Sequence, residues 1–379
     1  MTEQAVPASA RKGILFLFSD TGGGHRSATE AIIEALELEF PGTFATSKID
    51  FLRGFPPPIN RAPELYPPLS KYGAWGASFH TFNTRRGANA LADVAYPYVR
   101  KAAKKLVEDH PADLIVSVHP LANSIVTRAM RKHPRPFMTV VTDMVTTHAF
   151  WFDRHADLVV VPTEVAKQRG VEFGIPAGNL RVIGLPVDER FRAVPSDRMA
   201  FRRRVGWRED LPVILLVGGG DGMGPVKRIA KAINEDAPQA QLVVICGRNE
   251  SLRAELEGLD WNLPAHLYGF TTQMPDFMWA SDIMVTKAGP GSISEAFICG
   301  LPIVLYSRLA GQEEGNVDYV VDGGAGVWTP RPREAVEVIR HWVDDPAARE
   351  RVAAASRALA RPDASRQIAR LIAEQLGVF

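Results

Sequence analysis

Cysteine is scarce: the 379 residues include only Cys246 and Cys299, too few for a disulfide framework or a cysteine-rich zinc site. A reducing, cytoplasmic setting is the expectation. Long apolar runs are missing as well. Ile14–Phe18 and Val213–Val217 fall far short of the roughly 20 residues that span a bilayer. The opening MTEQAVPASARKG lacks the apolar stretch of a secretory signal. There is little excess of charge, since 44 Lys+Arg stand against 43 Asp+Glu, and a net +1 gives no footprint for nucleic acid. No solenoid-length repeat or low-complexity tract is present. None of the nine histidines has an HExxH or similar metal spacing, so no metal site is expected.

What remains is an ordinary globular composition, 46% apolar and 23% charged, able to bury full-sized cores without staples. At about 150 residues per domain the length suggests two domains, or three small ones. Charge is unevenly placed. Through Ile183 there are 21 basic and 17 acidic residues, and beyond it 23 and 26. Between Arg85 and Arg135 ten Lys/Arg face only four Asp/Glu, a patch suited to an anionic surface.

Short β-branched and aromatic runs alternate with longer amphipathic stretches, the pattern of βα units over parallel sheets. Expected strands are Gly13–Ser19, Phe44–Asp50, Leu114–Val118, Phe137–Thr142, Leu158–Val161 and Leu180–Ile183, then Val213–Val217, Leu242–Ile245, Ala265–Tyr268, Ile283–Val285, Ile303–Leu305 and Gly326–Trp328. Two sets imply an α/β protein of two doubly wound domains, 1–184 and 185–362, with a final helix in 363–379 returning to the first. The stretch Phe51–Ala95 fits no βα unit. It carries Pro56-Pro57-Pro58 and the aromatics Tyr66, Tyr72, Trp75, Phe79 and Phe82. It reads either as an ordinary insertion or as an amphipathic membrane contact, with Trp75 on the acceptor side.

Three glycine clusters follow strands. The first, Ser19-Asp20-Thr21-Gly22-Gly23-Gly24-His25-Arg26, leads into a helix, where bare amides at Gly23 and Gly24 and the helix dipole can meet a ligand. His25 sits at the carboxyl edge of the first strand, where open α/β sheets bind ligands. A neutral imidazole there can act as general base. Asp20 either orients His25 or caps the helix. His119, Thr142, Asp143 and His148 lie at the same edge. They either line an acceptor pocket, with Asp143 a rival base, or satisfy local hydrogen bonds. The second cluster is Gly218-Gly219-Gly220-Asp221-Gly222. The third, Lys287-Ala288-Gly289-Pro290-Gly291-Ser292-Ile293-Ser294-Glu295, opens a helix whose amides suit a diphosphate. Glu295, one turn in, is placed either for a ribose diol or for the helix end. No DxD-type carboxylate pair lies nearby. Gln312-Glu313-Glu314-Gly315-Asn316 adds polar groups at another helix start.

The motifs Asp20–Arg26, Lys287–Ala296 and Gln312–Asn316 resemble the monogalactosyldiacylglycerol synthase and diacylglycerol glucosyltransferase family. More distantly, they resemble the transferase that adds N-acetylglucosamine to lipid I. The resemblance runs in order along nearly the whole chain and is weakest over Phe51–Ala95. It implies a GT-B fold with two Rossmann-like domains facing across a cleft. It also implies a UDP-sugar donor, a diacylglycerol or related lipid acceptor, inversion at the anomeric carbon, and no metal or other cofactor. By the same resemblance His25 activates the acceptor. Gly218, Gly219, Gly220, Phe270, Gly289, Gly291 and Ser292 surround uracil and diphosphate, Glu295 holds the ribose, and Gln312 and Glu313 face the sugar. Lys287, read from its place beside these glycines, is expected to serve the diphosphate with them. The expected protein is thus a hexosyltransferase (galactose or glucose), peripheral on the inner face of the cell membrane. The alternatives are an N-acetylglucosamine transferase to another lipid, a GT-B-type epimerase, and a non-catalytic sugar-nucleotide sensor.

Overall fold

The structure is a computed structural model that describes residues 11–21, 23–64, 83–195, 197–222 and 224–378. Tyr66, Tyr72, Trp75, Phe79 and Phe82, on which the membrane-contact expectation partly rests, lie outside the described residues. The chain forms two units: Met1–Glu189 with Ala310–Gln312 and Asp363–Phe379, and Arg190–Leu309 with Glu313–Pro362.

In the first unit the strands are β1 Lys12–Phe18, β2 Phe44–Asp50, β3 Leu114–Ser117, β4 Phe137–Val140, β5 Leu158–Val161 and β6 Leu180–Val182. They form one parallel sheet in the order β2-β1-β3-β4-β5-β6. Its helices are α1 Gly24–Glu39, α2 Arg85–Asp109, α3 Pro120–Ala129 and α4 Glu164–Glu172. The second unit has β7 Val213–Val217, β8 Gln241–Ile245, β9 Ala265–Tyr268, β10 Ile283–Lys287, β11 Ile303–Ser307 and β12 Gly326–Trp328. Its parallel sheet runs β12-β11-β10-β7-β8-β9. Around it lie α5 Arg198–Val205, α6 Val226–Asp236, α7 Glu250–Glu257, α8 Met274–Trp279, α9 Pro290–Cys299, α10 Glu314–Asp322, α11 Pro332–Asp344 and α12 Pro346–Leu359. The last helix, α13 Ala364–Gln375, belongs to the first unit.

Near-continuous apolar strands demand cover on both faces. On β1, Ile14 and Phe16 join Ile32 and Leu36 of α1 and Ile368 and Ile372 of α13 in one buried cluster. Leu15 and Leu17 point to the other side, into a cluster with Val99, Val126 and Trp151. Charge fastens α13 to α1: Arg366 and Arg370 hold the two oxygens of Glu39 at 2.9 and 2.6 Å. The chain reverses its direction of growth between β1 and β3 in one sheet, and between β7 and β10 in the other. Those are the places where an open sheet leaves a crevice at its carboxyl edge.

A recurrent aspartate registers the opposite edge. Asp113, Asp157 and Asp282 each stand immediately before a strand and accept an amide at the start of a neighbouring one: Gly13 N–H at 2.7 Å, Phe137 N–H at 2.8 Å and Val213 N–H at 2.7 Å. Asp282 also takes Arg198 at 2.9 Å and the buried Arg202 at 2.6 Å. Burial alone would raise its pKa, but the two guanidinium charges and the Val213 amide hold it below the ordinary carboxylate value.

The stretch 51–95, which fits no βα unit, nonetheless holds regular structure among its described residues. Phe51–Gly54 and Ile59–Arg61 form short 3-10 turns, and the residues from Arg85 onward belong to α2. This helix runs 25 residues through Pro97, about 37 Å long. Proline normally ends a helical pattern, which is why the sequence reads as irregular there. Thr84 caps its start by accepting the Gly87 amide at 3.0 Å. Val99, Ala103, Leu106 and Val107 of its second half are buried. In the first half Leu91, Val94 and Tyr98 are exposed, Val94 to 79%.

Asp282→Ala leaves Arg202 buried without its carboxylate, and breaking such a pair costs about 3–5 kcal/mol. Chemical denaturation should show a loss of that size. A loss under about 1 kcal/mol would mean that the pair does not hold the sheet edge.

Candidate active site

At the carboxyl edge of β1, Gly23 adopts a left-handed φ of 76° and sets the start of α1. A Cβ added at Gly23 or Gly24 would meet nothing within 4 Å, so the loop leaves open space there. His25, half-buried, follows one residue into the helix. Its Nδ1 lies 2.9 Å from the Thr142 hydroxyl. The His119 ring meets it edge-on at 4.7 Å between centroids, and Trp151 is 5.9 Å away. This packed, largely apolar surround removes water from the imidazole. Desolvation outweighs a hydrogen bond to the Val118 backbone and lowers the His25 pKa to about 4. The ring is therefore neutral at physiological pH.

His119 is buried, and its pKa is also driven down, by burial and by the neighbouring His25. Its Nδ1 caps α3 by accepting the Leu121 amide at 3.3 Å. In the neutral ring the proton then sits on Nε2, which donates to the Thr21 hydroxyl at 3.0 Å. His148 caps a short turn in the same manner, accepting the Phe150 amide at 3.2 Å and stacking on the Phe150 ring. Asp20 makes a bidentate pair with Arg26 at 2.7 and 2.6 Å, while its own amide reaches Asp50 at 3.3 Å. Asp143 is buried. Its two oxygens accept the Trp151 indole at 2.6 Å and the amide of Gln312, which belongs to the same unit, at 2.9 Å.

In the second unit the glycines after β7 fold tightly against those after β8. A side chain at Gly218 would strike the Gly222 backbone at 2.9 Å, and one at Gly247 would strike the Gly220 carbonyl at 2.4 Å. Gly219 has φ 74°. Across the reversal point, Gly289 is the N-cap of α9, with no side-chain cap and Pro290 in its first turn. The first amides of α9 thus receive no capping side chain, Gly291 has open space around its α-carbon, and Ser292 and Glu295 are half-buried. Lys287, the last residue of β10, points its ammonium to the buried Glu313 at 2.8 Å. Phe270 is exposed, with the Arg248 guanidinium 4.4 Å above its ring. Arg248 in turn meets Asp221 at 3.3 Å.

The comparisons with known proteins agree with one another. The family model "Monogalactosyldiacylglycerol (MGDG) synthase" matches residues 25–187, and "Glycosyltransferase family 28 C-terminal domain" matches residues 213–368. A probable monogalactosyldiacylglycerol synthase 2 of Oryza sativa subsp. japonica is 39% identical over 348 residues, covering 88% of this chain and 74% of the relative. Monogalactosyldiacylglycerol synthase 1 of Arabidopsis thaliana is 38% identical over 377 residues, covering 95% and 70%. The chain belongs to the monogalactosyldiacylglycerol synthase family. Among solved structures, Acinetobacter baumannii MurG matches with a TM-score of 0.62 at 18% identity, covering 96% of this chain and 99% of that one. The UDP co-structure of S. aureus MnaA matches at 0.65 and 16%, covering 97% and 98%. These likenesses establish the fold, GT-B with two Rossmann-like domains.

In this family member the residues singled out from the sequence form two groups, one on each unit. His25, His119, Thr142 and Asp143 gather at the first sheet's edge, where Asp20 faces Arg26. Gly218–Gly220, Lys287, Gly289 and Glu313 gather at the second. Trp75 lies outside the described residues. Two residues went unnoticed in the sequence: Trp151 shapes the His25 surround and Arg248 covers Phe270. Asn316, read only as one of the polar groups at a helix start, donates to the Ala288 carbonyl at 2.9 Å, fixing the turn between Lys287 and Gly289. Asn316 stands within a quoted motif, and its position there is the one signal that pointed to it.

The His25 environment makes a spectroscopic prediction. Its imidazole should titrate by NMR with a midpoint near 4, against 6.5 for an exposed ring. Because the folded value is lowered, the unfolded state binds more protons between these values, so stability should fall as pH drops from about 6.5 towards 4. A midpoint at 6.5 would show that the ring is solvated.

Proposed function

We propose that the protein is an inverting glycosyltransferase that moves a hexose, galactose or glucose, from a UDP-sugar to diacylglycerol at a membrane surface. The observation that carries this reading is 39% identity over 88% of the chain to a relative named for that synthesis. The following roles fit the geometry. The acceptor hydroxyl gives its proton to neutral His25 as its oxygen attacks the anomeric carbon. Thr142 orients the ring through Nδ1. Asp143 is buried with the Trp151 indole and the Gln312 amide on its oxygens, a structural setting, and we assign the base to His25. Asp20, paired with Arg26, braces the loop that carries it.

The second unit holds the donor. The first amides of α9 and the Lys287 ammonium counter the charge that develops on the leaving UDP, in the place a divalent ion would otherwise serve. Phe270 and Arg248 offer flat faces for the uracil. Glu295 reaches the ribose from one turn inside α9.

Among the described residues no helix is long and apolar enough to cross a membrane. The first half of α2 supports surface binding on the inner face of the cell membrane. Exposed Leu91, Val94 and Tyr98 are spaced by three and four residues and share one helical face. Arg100 and Lys101, both exposed, follow them. Each such cation near an anionic surface contributes about 1 kcal/mol, less as salt rises.

Vesicles containing diacylglycerol and an anionic lipid, incubated with UDP-galactose or UDP-glucose in EDTA, should yield a β-linked monohexosyldiacylglycerol. Activity should fall in neutral vesicles and at high salt. An α-linked product, a need for added magnesium, or no lipid product from either donor would refute the reading.

A further inference from the structure

The ion pair between Lys287 and Glu313 occupies an unusual place. An added Cβ at Gly289 would lie 3.2 Å from the Lys287 Nζ, and one at Gly219 would lie 3.3 Å from its Cε. The two glycine turns that flank the second sheet's reversal point therefore converge on one ammonium. Glycine at both positions leaves the room beside that ammonium unfilled. Glu313 approaches it from the start of α10, where it is the N-cap residue yet makes no capping bond. Its Oε1 accepts from Lys287 at 2.8 Å and its Oε2 accepts the Leu309 amide at 2.7 Å. Both of its oxygens are thus used away from the helix it begins. Its carboxylate also adds to burial in pushing the Tyr306 phenol upward, and that phenol donates to the Val217 carbonyl at the end of β7 at 3.0 Å.

We propose that this pair is a resting-state lock on the diphosphate site: Glu313 neutralises the ammonium that the donor's diphosphate must take over, so donor binding breaks the pair. The inference rests on the donor assignment above and deepens it. It makes Glu313 a positioning residue that acts through Lys287, rather than a direct ligand of the sugar. A carboxylate beside a cation lowers the positive potential an incoming anion meets. The donor therefore binds more weakly than Lys287 and the amides of α9 alone would allow. The penalty is largest for the most highly charged ligand, so it acts on UDP more than on UMP. The same pairing keeps the ammonium between the two glycine turns when no donor is present.

The test uses the full chain and calorimetry with UDP, UMP and UDP-galactose. Glu313→Gln keeps the shape and an oxygen for Lys287 but removes the charge. It should bind UDP about tenfold more tightly than wild type, with a smaller gain for UMP and a gain that shrinks as salt rises. Lys287→Met, a second variant, should weaken UDP about tenfold or more while changing uridine little. An unchanged or weaker UDP affinity in Glu313→Gln overturns the lock, and a loss confined to UDP-galactose would instead make Glu313 a sugar ligand. Wild type that binds no UDP at all refutes the donor assignment itself, and the lock falls with it.

Discussion

Parallel pairing is the constraint from which the rest follows. It sends every strand's carboxyl end to one edge of its sheet, and with it every loop that leads into a helix. Where the strand order reverses, successive helices leave on opposite faces and the backbone there is uncovered. In the first unit that point lies between β1 and β3, where His25 at the start of α1 and His119 before α3 stand. In the second it lies between β7 and β10, where the Gly218 turn and Lys287 at the end of β10 stand. The aspartates before β3, β5 and β10 register the other edge through neighbouring strand amides. The registering aspartates thus stand at one edge of each sheet and the proposed site residues at the other.

The two edges use electrostatics in opposite ways. Around His25 the protein withholds charge: His119 is kept neutral, Thr142 is an uncharged partner, and Asp20 is committed to Arg26. The result is an imidazole that stays deprotonated across the physiological range. Around Lys287 the protein supplies charge and then partly cancels it with Glu313. A base and an anion site have different needs, and the proposed roles fall on separate scaffolds.

Much of this was legible in the sequence. Most of the twelve strands among the described residues follow apolar runs, because buried parallel strands are nearly continuous in apolar residues; β2, largely exposed and polar, is an exception. The glycine clusters at their ends pointed to both reversal points. Other features were hidden for physical reasons. Pro97 masks the 25-residue helix α2, since the burial of its second half overrides a local breaker. The Ala-Asp-Leu and Ser-Asp-Ile signatures at Asp113, Asp157 and Asp282 look like ordinary turns until strand order shows whose amide each accepts. The low pKa of His25 depends on Trp151 and His119, which are remote in sequence and meet the ring only in three dimensions. The partner of Glu313 is likewise 26 residues away, and a motif that places it before a helix says nothing of Lys287.

The central claim is that acceptor activation and donor binding reside on different units. It is tested most directly by measuring turnover and UDP affinity together in His25→Ala. A general base contributes about 10²–10⁴-fold, so lipid product formation should fall by that factor while the UDP dissociation constant stays within about twofold of wild type. A folded variant with near-normal turnover, or one whose UDP affinity collapses with its rate, would contradict the account.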